Sequence, residues 1–268
     1  MPELPEVETT CRGIAPAILE RRVTGWALRE PRLRWPVVLP RGLRGQRIAR
    51  VFRRAKYLVL QTDAGALIVH LGMSGSLRIV RTGAPAGPHD HIDLEFDGQA
   101  LRLTDPRRFG SVHYHEGDWR EHWLLKGLGV EPLTPEFDGE FLHRAARGRR
   151  VAVKQFLMDA HVVVGVGNIY ANEALFRAGI RPRVAAGRIS RTRYDALATA
   201  VREVLDAAIS DGGTTLRDFV DGSGNPGYFG RSLKVYGRDG APCFDCGTPL
   251  KGLRTGQRAT VYCPNCQQ

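Results

Sequence analysis

Lysine is scarce in this chain. Of 39 cationic residues only five are lysines, at positions 56, 126, 154, 234 and 251, so arginine carries nearly all the positive charge. Arginine suits bidentate contact with phosphate, although a coding bias would give the same preference. Acidic residues are also in deficit, 28 against 39, which leaves a formal net charge of +11. A pI near 9.9 favours a polyanionic partner over mere solubility or an anionic membrane surface. No stretch approaches the roughly 18 apolar residues of a membrane-spanning helix. A basic, apolar leader is missing too. The first twenty residues carry Glu3, Glu6, Glu8 and Glu20, the reverse of a secretory signal, so a cytoplasmic location is expected. Glycine and proline, 31 and 16 of 268 residues, stay below the share that marks collagen or low-complexity chains. Cysteine is limited to five residues. Without a secretory signal, grouped thiols read as metal ligands rather than as a disulfide framework.

What is present is an ordinary globular composition, 43% hydrophobic and 25% charged. The length allows one large domain or two to three small ones. Residues 2–20 read as a helix entered through Pro2 and Pro5, with acids in the first turn, where the helix dipole favours them. From 22 to about 115 the apolar period is mostly two. Segments 47–54, 57–62, 66–71, 76–80, 91–96, 100–104 and 111–115 read as short strands of a β-sandwich or barrel-like body. Residues 116–135 read as a linker with a short helix at Trp119–Lys126. The period then changes, and 138–147, 151–160, 168–178 and 190–211 read as helices. Residues 212–231 read as a loop, and 233–268 as short strands around cysteines.

Cys243, Cys246, Cys263 and Cys266 form two CxxC pairs sixteen residues apart, the spacing of a zinc site. Each turn aims two sulfurs at one centre, and four protein ligands leave no open position, so one structural Zn²⁺ is expected. Cys11 falls in the N-terminal helix pattern and reads as a small buried apolar residue. Arg254 and Arg258 lie between the pairs, where a guanidinium beside a rigid metal site can meet a phosphate or simply be solvated.

The chain begins Met1-Pro2-Glu3. Removal of the initiator Met would expose Pro2 as a secondary amine with a pKa near 7.7–8.0. A neutral amine can attack an electrophilic carbon and form an iminium, and Glu3 can move protons beside it. The plainer alternative is a proline and acids starting a helix. Gly165-Val-Gly167 precedes Asn168 at a helix start, where exposed N–H groups suit a phosphate. A dinucleotide fingerprint fails there, because Tyr170 occupies the third glycine position.

The opening MPELPEVE resembles the formamidopyrimidine-DNA glycosylase / endonuclease VIII family. So do Arg54-Ala-Lys56-Tyr-Leu, His70-Leu-Gly-Met73-Ser-Gly-Ser-Leu, His89-Asp-His91, Asp105-Pro-Arg-Arg108-Phe109-Gly, Gly165-Val-Gly-Asn168-Ile-Tyr-Ala-Asn-Glu, and the zinc cysteines with Gly256-Gln-Arg258. The matches run in order along the whole chain, and Leu4 resembles the formamidopyrimidine branch. The resemblance implies an α+β multidomain protein: an N-terminal helix with a β-sandwich (1–117), a linker (118–135), a helix–two-turns–helix domain (136–222), and a lesion loop with a β-hairpin zinc finger (223–268).

It also implies a bifunctional DNA glycosylase and abasic-site lyase of base excision repair, acting on oxidised purines such as 8-oxoguanine and formamidopyrimidines in duplex DNA. Pro2 matches the family's nucleophile and Glu3 its acid. Lys56 and Arg258 match positions assigned to proton donation. An arginine is a poor proton donor near pH 7, so both are expected first as cations that hold phosphate. Met73, Arg108 and Phe109 match a wedge that fills the gap left by a flipped nucleotide. His70, His89, Arg149, Lys154 and Asn168 match DNA-backbone contacts. No small-molecule cofactor is expected, and the expected state is a bacterial monomer on nucleoid DNA. The loop Val220–Tyr228 matches one that closes over the flipped base, with Asn225 where several relatives carry lysine. The rival readings are the same chemistry on oxidised pyrimidines, a non-catalytic DNA-binding protein, and a zinc-ribbon RNA-binding protein.

Overall fold

The computed structural model describes residues 2–214 and 229–268. They fall into two compact units: 2–126 with 209–214 and 229–230, and 127–208 with 231–268.

The first unit starts with helix α1 (Leu4–Ile18), proline in its first turn and an apolar face of Leu4, Val7, Cys11, Ile14 and Ile18. That face packs onto two four-stranded antiparallel sheets. One sheet contains β1 (Gly25–Leu28), β5 (Ser76–Arg81), β6 (Asp90–Glu95) and β7 (Gln99–Thr104), in the order β1-β6-β7-β5. The other contains β2 (Ile48–Arg54), β3 (Tyr57–Thr62), β4 (Gly65–His70) and β8 (Ser111–Glu116), in the order β2-β3-β4-β8. The strands expected from period two are these seven within a residue or so. β1 was not foreseen, because Gly-Trp-Ala-Leu is too short to show alternation and pairs only through β6. Leucine, valine and isoleucine from both sheets interdigitate between the layers with α1. Cys11 is buried there, and its thiol is pushed up to about 12, first by burial.

His122 follows a short 3₁₀ turn (Trp119–Glu121) that stands where a longer helix was expected. Its ring lies 5.2 Å from His113 and 5.5 Å from His115, beside Trp123. Burial first, and the two neighbouring imidazoles second, lower its pKa to about 4. Below the unfolded value of about 6.5 the unfolded chain takes up a proton that the folded chain refuses. Stability from His122 is therefore full above about pH 6.5 and falls toward pH 4, by on the order of 2–3 kcal/mol. His122→Asn keeps an acceptor for the Leu124 N–H that Nδ1 now accepts at 3.3 Å. It should flatten this slope in melting curves taken from pH 7 to pH 4. An unchanged slope would show that His122 does not titrate there.

The second unit carries α2 (Gly139–Ala146), α3 (Val153–Leu157), α4 (Asn168–Arg177) and α5 (Arg191–Ser210), then the hairpin β9 (Lys251–Thr255) and β10 (Arg258–Tyr262). The segment 151–160 expected as one helix forms only the five residues of α3, since the chain turns at Asp159 to bond Val162 and Val163. Glu173 of α4, 4% exposed, accepts the N–H groups of Lys234, Val235 and Tyr236 at 2.8–3.0 Å. Asn172 accepts the Val261 N–H at 3.0 Å. One helix thus positions both the hairpin and the strap leading to it. Among the described residues no helix is long and apolar enough to cross a membrane. The expected lesion loop Val220–Tyr228, with Asn225, lies outside the described residues.

Candidate active site

Pro2 and Glu3 open α1, and both are buried. Glu3 caps the helix and shares a reciprocal capping box with Glu6. Oε2 of Glu6 accepts the Glu3 N–H at 2.7 Å, and Oε1 accepts the Thr214 N–H at 2.8 Å. One carboxylate, 2% exposed, thus pins the Pro2–Glu3 step to a segment near the other end of the chain. Sequence reasoning missed Glu6. Its signal was the three-residue spacing from Glu3.

Ala55 and Lys56 form the two-residue turn between β2 and β3, where Arg54 faces Tyr57. Ala55 adopts φ 55°, the left-handed region. His70 ends β4 opposite Tyr57. Its Nδ1 accepts the Gly72 N–H at 3.0 Å, which leaves the proton on Nε2. Burial first, then the Lys56 and Arg34 cations, push its pKa down to about 4. His70 is therefore neutral at pH 7. An uncharged N–H donor and an ammonium lie within electrostatic reach of one another, a pairing suited to successive phosphate oxygens.

Met73 and Phe109 are 40% and 44% exposed, so neither is a core residue. Their loops are joined by Asp105, which is fully buried. Its Oδ1 accepts the Ser74 hydroxyl at 2.7 Å and its Oδ2 the Gly110 N–H at 2.7 Å. The Ser74 Oγ accepts the Arg107 N–H at 3.2 Å, and the His91 ring bonds the Asp105 carbonyl at 2.7 Å. Gly72, at φ 64°, runs so close to the second loop that a Cβ would lie 2.4 Å from the Gly110 nitrogen, so only glycine fits. Arg108 adopts φ 55°. For a non-glycine residue this costs on the order of 1 kcal/mol, and the surrounding bonds hold it. The result is a rigid platform presenting an apolar chain, a guanidinium and an aromatic ring. His89 is exposed and lines a cavity of about 400 Å³ that Arg108 shares. The motifs from 70 to 110 are brought together here; the role of Asp105 as their tie was not legible.

In the second unit Arg258 begins β10 opposite Thr255. The turn between them, Gly256-Gln257, has both φ values positive, the primed geometry of a two-residue hairpin, and Arg258 is exposed at its tip. Lys154, expected at a DNA-backbone contact, lies inside the second unit. It is fully buried, and its ammonium donates to the Ala259 carbonyl at 2.8 Å and the Thr260 hydroxyl at 2.7 Å. It clamps the hairpin beside Arg258. Asn168 is the first residue of α4 after Gly167, and its buried Oδ1 has no hydrogen-bond partner among the described residues. Arg149 is exposed and pairs with Asp159 at 3.5 Å.

Cys243, Cys246, Cys263 and Cys266 place their sulfurs within 4.8 Å of one another. Cys243 and Cys266 are 4.0 Å apart, Cys246 and Cys263 3.5 Å. A tetrahedron of bonds of about 2.3 Å to one zinc requires nearly these separations. The Cys266 N–H points at the Cys263 sulfur at 3.4 Å, as suits a thiolate acceptor. The four cysteines fit one structural zinc, and Phe176, Val235, Leu250 and Val261 pack around them.

Three family models match the chain in order: the formamidopyrimidine-DNA glycosylase N-terminal domain over 1–112, its H2TH domain over 128–220, and the zinc finger found in FPG and IleRS over 240–268. The formamidopyrimidine-DNA glycosylase of Alkalilimnicola ehrlichii is 59% identical, with all of both chains covered. Among solved structures, a mutant of the Lactococcus lactis enzyme in complex with a Fapy-dG containing DNA superposes with a TM-score of 0.91 at 31% identity, covering all of both chains. The Lactococcus lactis enzyme with an abasic site containing DNA gives 0.90 at 32% identity over 99% of each. The ordered motifs, the cysteine tetrad and this full-length likeness have one common explanation: the chain belongs to the formamidopyrimidine-DNA glycosylase family.

Proposed function

We propose that this protein is a bifunctional DNA glycosylase and abasic-site lyase that removes oxidised purines, including formamidopyrimidines and 8-oxoguanine, from duplex DNA. The observation that carries the reading is the buried Pro2–Glu3 step pinned through Glu6 to Thr214. It fixes an amine-bearing proline and a carboxylate, and the same unit holds a phosphate-binding pair at Lys56 and His70 and a platform at Met73, Arg108 and Phe109.

Reaction at C1′ requires the nucleotide to leave the stack. Met73 and Phe109 enter the gap, and Arg108 hydrogen-bonds the orphan base. The Pro2 nitrogen, freed by removal of Met1, forms a bond to C1′ as the bond from C1′ to the base breaks. The departing base takes the proton that the Pro2 nitrogen sheds; Glu3 then donates a proton to O4′ as the C1′–O4′ bond breaks and the sugar ring opens, and an iminium results. The iminium acidifies the C2′ protons. Loss of one breaks the C3′–O bond, and a second elimination breaks the C5′–O bond, which releases both flanking phosphates. Lys56, His70, His89, Arg149, Asn168 and Arg258 hold the backbone. Lys154 acts on Arg258 through the hairpin. Zinc, held by the four cysteines, supplies folding energy to the hairpin. The working division of the chain is 1–117, 118–135, 136–222 and 223–268, acting as a monomer on DNA in the bacterial cytoplasm.

The test is borohydride trapping on a duplex with 8-oxoguanine opposite cytosine, followed by intact mass and peptide mapping. The expected product is one adduct on Pro2 of a Met-free chain. An adduct on a lysine would overturn the nucleophile. No adduct on this duplex or on an abasic site, with Met1 already absent, would leave a DNA-binding protein without the chemistry.

A further inference from the structure

Arg108 has a partner of its own in the protein. Its Nη1 lies 3.2 Å from Oε2 of Glu30, a residue 78 positions earlier. Glu30 follows β1, and its backbone is held in place: the Arg29 and Glu30 N–H groups both reach the His91 carbonyl, at 2.8 and 3.4 Å. The ring of the same His91 bonds the Asp105 carbonyl. Glu30 and the Arg108 loop are therefore tied to one frame through His91. Glu30 is 19% exposed at its side chain and Arg108 52%.

Glu30 is shared. It also accepts the backbone N–H of Arg32 at 2.8 Å, the Arg32 Nε at 3.1 Å and the Arg32 Nη2 at 3.4 Å. These bonds, Arg32 first and Arg108 adding to them, hold its carboxyl down to about 2. Glu30 is therefore an anion at neutral pH.

We propose that Glu30 is a specificity-determining residue that competes with the orphan base for Arg108. This rests on the reading of Arg108 as the residue that meets that base. To enter the duplex, the guanidinium must give up the Glu30 carboxylate. Cytosine offers two acceptors on its pairing edge, O2 and N3, and can win a guanidinium in a bidentate contact. Adenine offers one, N1, beside a donor that repels the guanidinium. With Glu30 present, Arg108 leaves for cytosine and stays for adenine. Without it, Arg108 has no better place to be, and the poorer base also captures it. Glu30 thereby sharpens the preference for a lesion opposite cytosine. A partly exposed ion pair of this kind is weak, so the effect is about two- to fivefold.

The experiment measures single-turnover excision of 8-oxoguanine opposite cytosine and opposite adenine for the wild type, Glu30→Gln, Arg32→Ala, Arg108→Ala and the Glu30→Gln/Arg108→Ala double variant. Glu30→Gln keeps an acceptor for the Arg32 N–H and is isosteric. It should lower the cytosine-to-adenine ratio about two- to fivefold. Arg32→Ala leaves Glu30 to Arg108 and should raise the ratio. In the Arg108→Ala background, Glu30→Gln should change the ratio not at all, which a merely structural role or a general change of surface charge would not reproduce. A ratio unmoved by Glu30→Gln, or moved equally with and without Arg108, would overturn the competition. If Arg108→Ala itself keeps the full wild-type preference, the orphan-base reading of Arg108 fails, and the proposal fails with it for that separate reason.

Discussion

Glu3→Gln should abolish most base excision while leaving cleavage at a preformed abasic site largely intact. A positioned general acid contributes about 10²–10⁴-fold, and glutamine has no proton to give. At an abasic site the base is already gone and the sugar presents an aldehyde, so the Pro2 amine can attack without that acid. The substitution isolates chemistry from folding because glutamine still accepts a hydrogen bond. The capping box with Glu6 keeps an acceptor at its first position, where complete loss of a cap would cost on the order of 1 kcal/mol. Parallel assays on an 8-oxoguanine duplex and an abasic duplex check this. Equal loss on both would place Glu3 in the elimination steps instead, and wild-type excision would remove it from the reaction.

Cys246→Ser should remove zinc and DNA affinity together. Structural zinc sites of this kind supply about 10–16 kcal/mol, comparable with or larger than the whole stability of a domain. The finger has little else. Its core is six buried residues, two of them ligands, and its hairpin is two five-residue strands, too small to stand alone. Without metal the turn that presents Arg258 loses its geometry, and Lys154 loses the Ala259 and Thr260 acceptors that neutralise its burial. The expected loss of affinity for an abasic-analogue duplex is ~10- to 100-fold, the worth of one or two charge-assisted hydrogen bonds. Metal content by native mass spectrometry and titration of the duplex at fixed salt measure both. Full affinity in a zinc-free protein would show that the finger does not hold DNA.

The sequence by itself determined most of the elements and their order. Alternation gave seven strands almost to the residue, the helical period gave α4 and α5, and cysteine spacing gave the zinc tetrad, because each signal is local and repeats within a few residues. Met73, Arg108, Phe109 and Arg258 were named as candidates through the resemblance of their motifs to the family, the neighbouring glycine turns only weakening a core reading for Met73 and Phe109. What only the tertiary structure decided are contacts across long stretches of chain and the burial they bring. Lys154 reads like any other exposed lysine until Ala259 and Thr260 fold over it. Asp105 reads as a turn residue until Ser74 and Gly110 donate to it, and His70 reads as an ordinary imidazole until burial beside Lys56 keeps it neutral. Glu6 and Thr214, Glu30 and Arg108 are separated by 208 and 78 residues. No local pattern encodes such pairs, since they exist only once two packed sheets and a helix have brought distant segments to one place. Charge state, partner and exposure at this site are properties of packing, and packing is what a residue's identity alone does not carry.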